Sequence, residues 1–477
     1  MSNNSQTSTA DQFGVATFIV TEPGVYQFIS TKNQLYSETK STIVTGSKSI
    51  DVNVNFVKLT LTTNENADIT ISDGVTTITG TGTGNADSFL LPNLGDWHVE
   101  ASSNGIITKT DIHATEYRTY VRNITQSIYG AYWSGGSETT LTRTDDAVSF
   151  TNPDPYVADG DHPGYSLFDS IWPWSDMEIV EKDGNSLVEI PKYWYKITRE
   201  GAAMTFQIAN YAADGFSVSP AHQDRGDGVG ERDVVYIGRY HCASDYKSKT
   251  GAMPLVSISR AAARTQIQNL GTGYYLNDYA LFWTVRMLYL VEFADWDSQK
   301  VIGYGCGNNS STSMMGYTDS MPYHTGTMSL NRTTYGASTQ YRYIEGIWDN
   351  VTDWCDGIRF SGSAVYVYTN PSTYSDSSGG TSVGTRATSG NEIKSFFTPS
   401  VSNLDWAMYP NSVFSDSSYT TYITDSCYYT SNANVLCIGG CYNPSRNFGM
   451  FFLNGYYTYS TTQSTGGARI QYLPQNS

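Results

Sequence analysis

The chain has 477 residues, 37 of them tyrosine and 43 glycine; 15% are charged, and the formal net charge at pH 7 is −17. This charge excludes proteins that wrap nucleic acid or lie on anionic lipid, because both need a basic surface. No apolar run approaches the ~18 residues of a membrane-spanning helix, so membrane insertion is not predicted. The length predicts two or three domains. Abundant tyrosine, glycine, serine and threonine with few lysines is typical of β-rich extracellular or virion proteins.

The first quarter of the chain shows a strand pattern after a polar start. We expect residues 1–12 (MSNNSQTSTADQ) to form a disordered tail, or one ordered only against a partner. The start has no charged segment before an apolar core, so a secretory signal peptide is not predicted. Short strands with turn signals every ~8–12 residues predict a small immunoglobulin-like β-sandwich over residues 13–118. Such modules mostly serve as spacers or attachment regions.

Helices are predicted at two places in the remaining domain, residues 119–477. Ser259 is placed to cap a helix that runs to Leu270 and stops at Gly271. Asn277 is placed to cap a second helix, whose apolar side chains recur every three to four residues up to Ala294. Two helices among short strands and long loops predict the α+β class for this domain.

Residues 427–473 have the composition of a binding surface. Tyrosine, asparagine, serine and threonine are dense there, with glycine at the corners. Tyrosine offers a large contact area at low entropic cost, and serine and asparagine adapt their hydrogen bonds. Short apolar runs predict strands at residues 435–438 and 450–453, as they do at 187–195 and 233–240 earlier in the domain. We expect this stretch to form a binding face and not a reaction centre.

Two features have the residue types of a chemical site, but each has a plainer interpretation. The loop at residues 222–233 holds four carboxylates at short spacing, as calcium sites do, yet it lacks the ligand order of an EF-hand, and a solvated turn is favoured. Cys355 with His241 or His324 has the residue types of a nucleophile–base pair. Since Cys355 follows Trp354 in an aromatic run, a buried thiol is favoured. The many acidic residues carry no signal for a glycosidase pair.

The six cysteines predict neither a zinc site nor a defined disulfide set. They lie at positions 242, 306, 355, 427, 437 and 441. Zinc sites usually present two pairs separated by two residues, or one such pair with histidines nearby, and this sequence has no such pair. Buried or incidental thiols are the favoured interpretation, and a disulfide is the alternative. No metal or other cofactor is predicted.

The segment GIWDNVTDWCD at residues 346–356 is specific in its order. It resembles a signature of the C-type-lectin-like fold shared by formylglycine-generating enzymes and by the variable proteins of diversity-generating retroelements. The Gly-Gly pair at 439–440 resembles a glycine turn of that family, and residues 467–470 (GARI) resemble its closing strand. The resemblance implies that six residues are structural: Trp348, Asp349, Asn350, Trp354, Gly439 and Gly440.

Upstream segments extend the resemblance over residues 120–477. In order, they are similar to phage tail and receptor-binding proteins of gut bacteria: YGAYW (129–133), LTRTDDA (141–147), VEIPKY (188–193), GFSVSPAH (215–222), DVVYIGRY (233–240) and GYGCGNN (303–309). In such relatives roughly the last fifty residues vary, because a template copy is reverse-transcribed with errors at adenines. The resemblance therefore implies a variable region at about residues 427–473.

The resemblance also implies which side chains of the variable region contact a ligand. The candidates are residue types that adenine-bearing codons reach, and they are set among scaffold glycines. We expect the following side chains to be exposed on one ligand-binding face: Tyr428, Tyr429, Cys437, Cys441, Asn443, Ser445, Arg446, Phe448, Phe452, Tyr456, Tyr457, Tyr459, Thr461, Gln463, Thr465 and Ala468.

The function implied by the resemblance is that of a non-enzymatic receptor-binding protein, a phage tail-tip or fibre adhesin. Its ligand would be a bacterial cell-surface protein or glycan. Its N-terminal region would contact other virion tail proteins, and a homotrimer in the phage tail, or otherwise an extracellular location, is expected.

Two alternatives stay open on the same fold. A formylglycine-generating oxidase binds copper through a cysteine pair shortly after the Gly-Gly turn, but here Cys441 follows Gly440 and no second cysteine lies between it and Ser477. A calcium-dependent carbohydrate-binding lectin is indicated only by the acidic loop at residues 222–233.

Overall fold

A computed structural model of the chain describes residues 56–305, 311–414, 419–442 and 446–475. Before residue 56 it describes shorter pieces, of which 24–32 and 39–45 are the longest. The predicted tail, residues 1–12, lies outside the described residues apart from residues 7 and 9. The GYGCGNN segment is described only up to residue 305.

The protein is predominantly β, with many small sheets. Strands account for 38% and helices for 10% of the structure, and the described residues contain three α-helices. The predicted α+β class with two helices is therefore wrong. Long segments rich in serine, threonine and tyrosine, which predict loops, form short strands that pair with distant parts of the chain. A sequence pattern of two or three residues is too short to signal such strands.

The chain divides into two compact units. The first comprises Met1–Val99 and Asp111–Arg122, and the second comprises Glu100–Thr110 and Asn123–Ser477. In the first unit, alternate side chains of Val57–Thr62 and Asp68–Ser72 are buried, as expected for strands that cover a core with one face. Its described strands are Gly24–Phe28 with Lys40–Val44; Thr31–Lys32 with Leu35–Tyr36; Thr119–Asn123, Val57–Thr62 and Ala86–Leu91; and Asp68–Ser72 with Thr77–Thr81. The strands Gly95–Ser103 and Ile106–Ala114 belong to the same sheet as the last pair, and the division between the units falls within them.

The second unit contains five sheets in its described residues. The strands are, in sheet order: Thr142–Asp145, Ile128–Trp133, Ala203–Ala209, Trp194–Glu200 and Ser217–Val218; Tyr156–Val157, Gly326–Thr327, Thr339–Tyr341 and Ile344–Glu345; Ile179–Lys182, Asn185–Pro191, Val234–Gly238, Ile470–Tyr472 and Tyr274–Leu276; Pro410–Phe414, Asn391–Phe396, Ser426–Tyr429, Leu453–Gly455, Leu436–Ile438, Thr352–Cys355 and Gly466–Gly467; and Ile358–Ser361, Ala364–Val367 and Thr381–Thr385. The seven-stranded sheet contains four of the five described strands of the C-terminal stretch, and Ile470–Tyr472 belongs to a five-stranded sheet.

Three helices lie among these sheets: α1, Arg260–Gln268; α2, Tyr279–Phe293; and α3, Ser298–Val301. Ser259 caps α1 as predicted. The predicted cap of the second helix is wrong by one residue, because the Asp278 carboxylate accepts the Leu281 amide (2.9 Å). Short 3-10 helices span Leu167–Ser170, Trp174–Asp176, Pro371–Thr373 and Ser402–Leu404.

Helix α2 is the centre of the second unit's core. Every residue from Tyr279 to Phe293 is buried, so the helix is covered on all sides and not amphipathic. It ends where Ala294 adopts a left-handed conformation, with φ of 50°. The ring of Trp296 then meets that of Phe451 at 4.8 Å, which links this core to the C-terminal stretch. Among the described residues, no helix is long and apolar enough to cross a membrane.

Candidate functional site

The C-terminal stretch, residues 427–473, runs through the middle of the seven-stranded sheet. Ser426–Tyr429 pairs in parallel with Leu453–Gly455, which in turn pairs antiparallel with Leu436–Ile438. The predicted strand at 435–438 is confirmed apart from its first residue. The prediction at 450–453 is wrong in its extent, because the strand begins only at Leu453 and ends at Gly455.

Residues 449–451, which lie just before that strand, form a turn that a buried carboxylate holds in place. Asp425 is 2% exposed and accepts the amides of Gly449 (2.6 Å) and Phe451 (2.8 Å). Burial raises the pKa of this carboxyl to about 8. Between those two residues, the Met450 carbonyl accepts from Arg286 Nε of α2 (3.0 Å). The backbone of residues 449–451 is therefore held by side chains and not by strand pairing.

A buried turn at residues 346–350 supports the glycine pair. The indole nitrogen of Trp348 donates to the Gly303 carbonyl (3.2 Å), and Asn350 exchanges two hydrogen bonds of 2.9 Å with the backbone of Ser313. The Gly440 amide donates to the Trp348 carbonyl (3.0 Å). A Cβ atom at Gly440 would lie 2.4 Å from that same oxygen. This contact explains why a glycine occupies the position.

The other residues of this set are also internal. Asp349 is 1% exposed and accepts both the amide (3.0 Å) and the hydroxyl (2.7 Å) of Thr339. Gly439 has φ of +71°, a conformation that favours glycine. Trp354 is fully buried, and its indole nitrogen donates to the Ile258 carbonyl (2.8 Å).

Residues 467–470 are fixed by a buried cluster of charged side chains that no sequence motif indicated. Arg469 Nε lies 2.9 Å from Asp353 Oδ2, and His241 Nδ1 lies 2.9 Å from Asp353 Oδ1. The Arg469 guanidinium also donates to the Gly238 carbonyl (2.9 Å). A basic side chain between apolar neighbours near the C-terminus was the available signal. No sequence signal identified its acidic partner, which lies more than a hundred residues away.

The predicted contact residues fall into three groups by exposure, and two of them lie outside the described residues. Three are exposed: Arg446, Tyr456 (56%) and Tyr459 (41%). Eight are half-buried: Tyr428, Tyr429, Cys441, Phe448, Tyr457, Thr461, Gln463 and Thr465. Three are buried: Cys437, Phe452 and Ala468. The remaining two, Asn443 and Ser445, lie outside the described residues.

The prediction that Cys437, Phe452 and Ala468 are exposed is wrong. Cys437 and Ala468 belong to a buried apolar cluster that also contains Trp354. Every residue of the strand Leu436–Ile438 is buried. Both faces of this strand are therefore covered, and neither face exposes a side chain. Phe452 is 2% exposed, and its ring packs 4.3 Å from that of Phe448. These three side chains support the surface from beneath.

Two aromatic groups are partly accessible in the stretch. In the first, the half-buried ring of Tyr428 meets Phe448 at 6.2 Å and Phe452 at 5.6 Å. In the second, exposed Tyr456 stands 5.5 Å from Tyr457, whose ring contacts buried Trp354 at 6.0 Å. Edge-to-face packing of this kind holds rings in place while leaving part of each available to a ligand.

The backbone beneath the second aromatic group is fixed by hydrogen bonds. The Tyr456 amide donates to Asn454 Oδ1 (3.2 Å), and the Tyr459 amide donates to Asn434 Oδ1 (3.0 Å). The Tyr457 carbonyl accepts from the Asn434 amide (3.1 Å). The two exposed tyrosines therefore project from an ordered loop.

The acidic loop considered for calcium directs its carboxylates to other partners. Asp227 pairs with Arg232 (2.6 Å), Asp233 with Lys192 (2.5 Å), and Asp224 accepts the Gly226 amide (2.8 Å). In the part of the chain that the structure describes, no group of three or more His, Cys, Asp or Glu residues is arranged to hold a metal ion.

The three residues considered for a cysteine–histidine pair also make other contacts. Cys355 is fully buried, its thiol donates to the Asp356 carbonyl (3.5 Å), and burial raises its pKa well above the usual value. Both candidate bases contact carboxylates: His241 Nδ1 lies 2.9 Å from Asp353, and His324 Nε2 lies 2.8 Å from Asp169.

Two tyrosines that no sequence motif indicated lie beside the stretch. Tyr304 and Tyr335 place their ring centroids 4.9 Å apart, and the Arg446 guanidinium lies 5.6 Å from the Tyr304 ring centroid. The glycines on both sides of Tyr304 were a signal for a constrained backbone, but nothing in the sequence pairs it with Tyr335. No protein-family model matches the chain and no curated protein is similar to it, so the family resemblance rests on the motifs alone.

Proposed function

We propose that the protein is a non-enzymatic receptor-binding protein, a phage tail adhesin that recognises a bacterial surface molecule with residues 427–473. The observation that carries this proposal is the exposure of Tyr456 and Tyr459 on a loop fixed by hydrogen bonds. Exposed aromatic anchors on an ordered scaffold bind with little loss of conformational entropy.

The proposal also assigns roles to the rest of the chain. The N-terminal region attaches the protein to other virion tail proteins, and three copies assemble as a homotrimer. Several copies on one virion raise the avidity of a weak individual contact. Variation by a diversity-generating retroelement belongs to the same proposal, with buried Cys437, Phe452 and Ala468 left out of the set of ligand contacts.

The test is binding of the labelled full-length chain to a panel of intact bacterial strains. We expect saturable binding to at least one strain, and a loss of at least about tenfold in affinity for the double variant Tyr456→Ala/Tyr459→Ala. Tyr165→Ala is the matched control, since Tyr165 is 52% exposed in the same unit but outside the stretch. Equal losses in both variants, or no change in the double variant, would overturn the proposal.

The DNA next to the coding sequence tests the diversification part. We expect a reverse-transcriptase gene and a near-copy of the last ~150 bases that differs from them mainly at adenines. Absence of both would remove diversification and leave the binding proposal to the cell assay.

A further inference from the structure

Two tyrosines from separate loops form a tilted aromatic pair beside the C-terminal stretch. The half-buried rings of Tyr304 and Tyr335 lie 4.9 Å apart at an interplanar angle of 42°. We call this pair the tyrosine shelf. Neither residue belongs to residues 427–473, so the shelf is separate from the proposed variable region.

The backbone beneath the tyrosine shelf is tied to the buried turn at residues 346–350. The Tyr304 amide donates to the Arg332 carbonyl (3.0 Å), and the Gly336 amide donates to the Gly305 carbonyl (3.1 Å). Gly305 has φ of +82°, and a Cβ atom there would lie 2.5 Å from Asp349 Cβ. The two loops that carry the shelf are therefore hydrogen-bonded to each other, and one of them packs closely against Asp349.

Arg446 supplies a positive charge at this shelf. Its guanidinium lies 5.6 Å from the Tyr304 ring centroid and is exposed. Within the described residues it has no hydrogen-bonding or ion-pair partner. The nearby Asp297 is 7% exposed, and its carboxyl accepts the Lys300 amide (2.9 Å) at the start of α3. That carboxyl is buried, and within the described residues it forms no ion pair with the guanidinium.

An arginine without an ion-pair partner among the described residues is notable in a chain of net charge −17. Arg225, Arg264 and Arg342, for example, each form ion pairs with buried or half-buried carboxylates. A guanidinium held against an aromatic ring keeps its outward N–H groups free for a planar anion, and it pairs bidentately with carboxylate or phosphate. A negatively charged protein needs such a local cation to approach an anionic bacterial surface.

We propose that Arg446 and the tyrosine shelf form a subsite for an anionic group, a carboxylate or a phosphate, carried by a bacterial surface polymer. This inference rests on the proposed function and deepens it by naming the chemical class of the receptor. The guanidinium binds the anion, and the two rings contact the adjoining part of the polymer. The shelf is common to all variants of residues 427–473, whereas position 446 determines whether the anion is bound.

The experiment measures binding of the full-length chain to three polymers: polygalacturonate, which carries carboxylates; poly(glycerol phosphate); and neutral dextran. We expect at least one anionic polymer to bind about tenfold or more tightly than dextran, and the difference to shrink as salt is raised. Arg446→Gln should remove that preference, and Tyr335→Ala should weaken it severalfold. Binding of the carboxylate polymer alone or of the phosphate polymer alone sustains the subsite and identifies the source of the anion.

The control is Arg118→Gln. Arg118 also lies over a tyrosine, 4.6 Å from the Tyr120 ring centroid, but Glu116 lies 3.8 Å from it. We expect this variant to bind like the unmodified chain. Equal binding of all three polymers, or equal binding by Arg446→Gln and Arg118→Gln, overturns the subsite.

The cell assay separates failure of the subsite from failure of the proposed function. If cell binding needs Tyr456 and Tyr459 but neither anionic polymer competes with it, and protease treatment of the cells abolishes it, the receptor is a protein. The subsite is then wrong while the receptor-binding proposal stands. If no strain is bound at all, both are wrong.

Discussion

Replacing Asp425 by asparagine should change how the stability of the second unit depends on pH. Burial raises the pKa of this carboxyl from 3.8 to about 8, so the folded chain keeps a proton that the unfolded chain loses. Stability therefore falls as pH rises from about 4 to about 8, by ~1.4 kcal/mol per pH unit. Over the whole interval of about 4 pH units, this amounts to roughly 6 kcal/mol.

The assay is denaturant unfolding at pH 5, 6 and 7, followed by tryptophan fluorescence. All tryptophans except Trp97 lie in the second unit, so the signal reports mainly on that unit. The free energy of unfolding of the unmodified chain, measured relative to Asp425→Asn, should fall by ~3 kcal/mol between pH 5 and pH 7. The exposed Asp161→Asn serves as the control. A difference between wild type and Asp425→Asn that stays constant within ~0.5 kcal/mol over this range would refute the argument that the buried carboxyl is protonated.

One further substitution and one labelling experiment test the packing of the site. Gly440→Ala should lower the free energy of unfolding by roughly 2 kcal/mol, because the new Cβ would lie 2.4 and 2.5 Å from two backbone carbonyl oxygens. Gly24→Ala is the control, since its Cβ would meet nothing closer than 3.6 Å. In a Cys306→Ser background, a maleimide should label half-buried Cys441 in the native chain. The buried thiols should react only after unfolding, because burial excludes the reagent and disfavours the reactive thiolate. For Cys427, burial raises the pKa to about 11. Rapid labelling of several thiols in the native chain would contradict the burial of Cys242, Cys355, Cys427 and Cys437.

Local features of the fold were predictable from the sequence, and long-range ones were not. Ser259 was identified as a cap because a capping hydroxyl acts on amides within three residues of it. The cap of α2 was misplaced by one residue because Asn277 and Asp278 both favour that role, and only the backbone geometry selects Asp278. The α+β class was wrong because strands of two to four residues pair across long separations, as Gly466–Gly467 does with Thr352–Cys355.

The candidate site shows the same limit. Tyr456 and Tyr459 could be proposed from composition, since tyrosine is useful at a surface. The burial of Cys437 could not be foreseen, because it depends on which strands lie on both sides of it. Asp425 resembles any other acidic residue in the sequence, and its partners are backbone amides 24 and 26 residues away.

The most direct measurement is carbene footprinting of the chain bound to cells of a strain that it recognises. Trypsin releases residues 447–469 as one peptide, between Arg446 and Arg469, which contains both exposed tyrosines. We predict that labelling of this peptide falls at least about twofold on binding, while the peptide of residues 144–182, which contains exposed Tyr165, is unchanged. Protection of residues 144–182 with no protection of 447–469 would contradict the claim that the C-terminal stretch is the binding face.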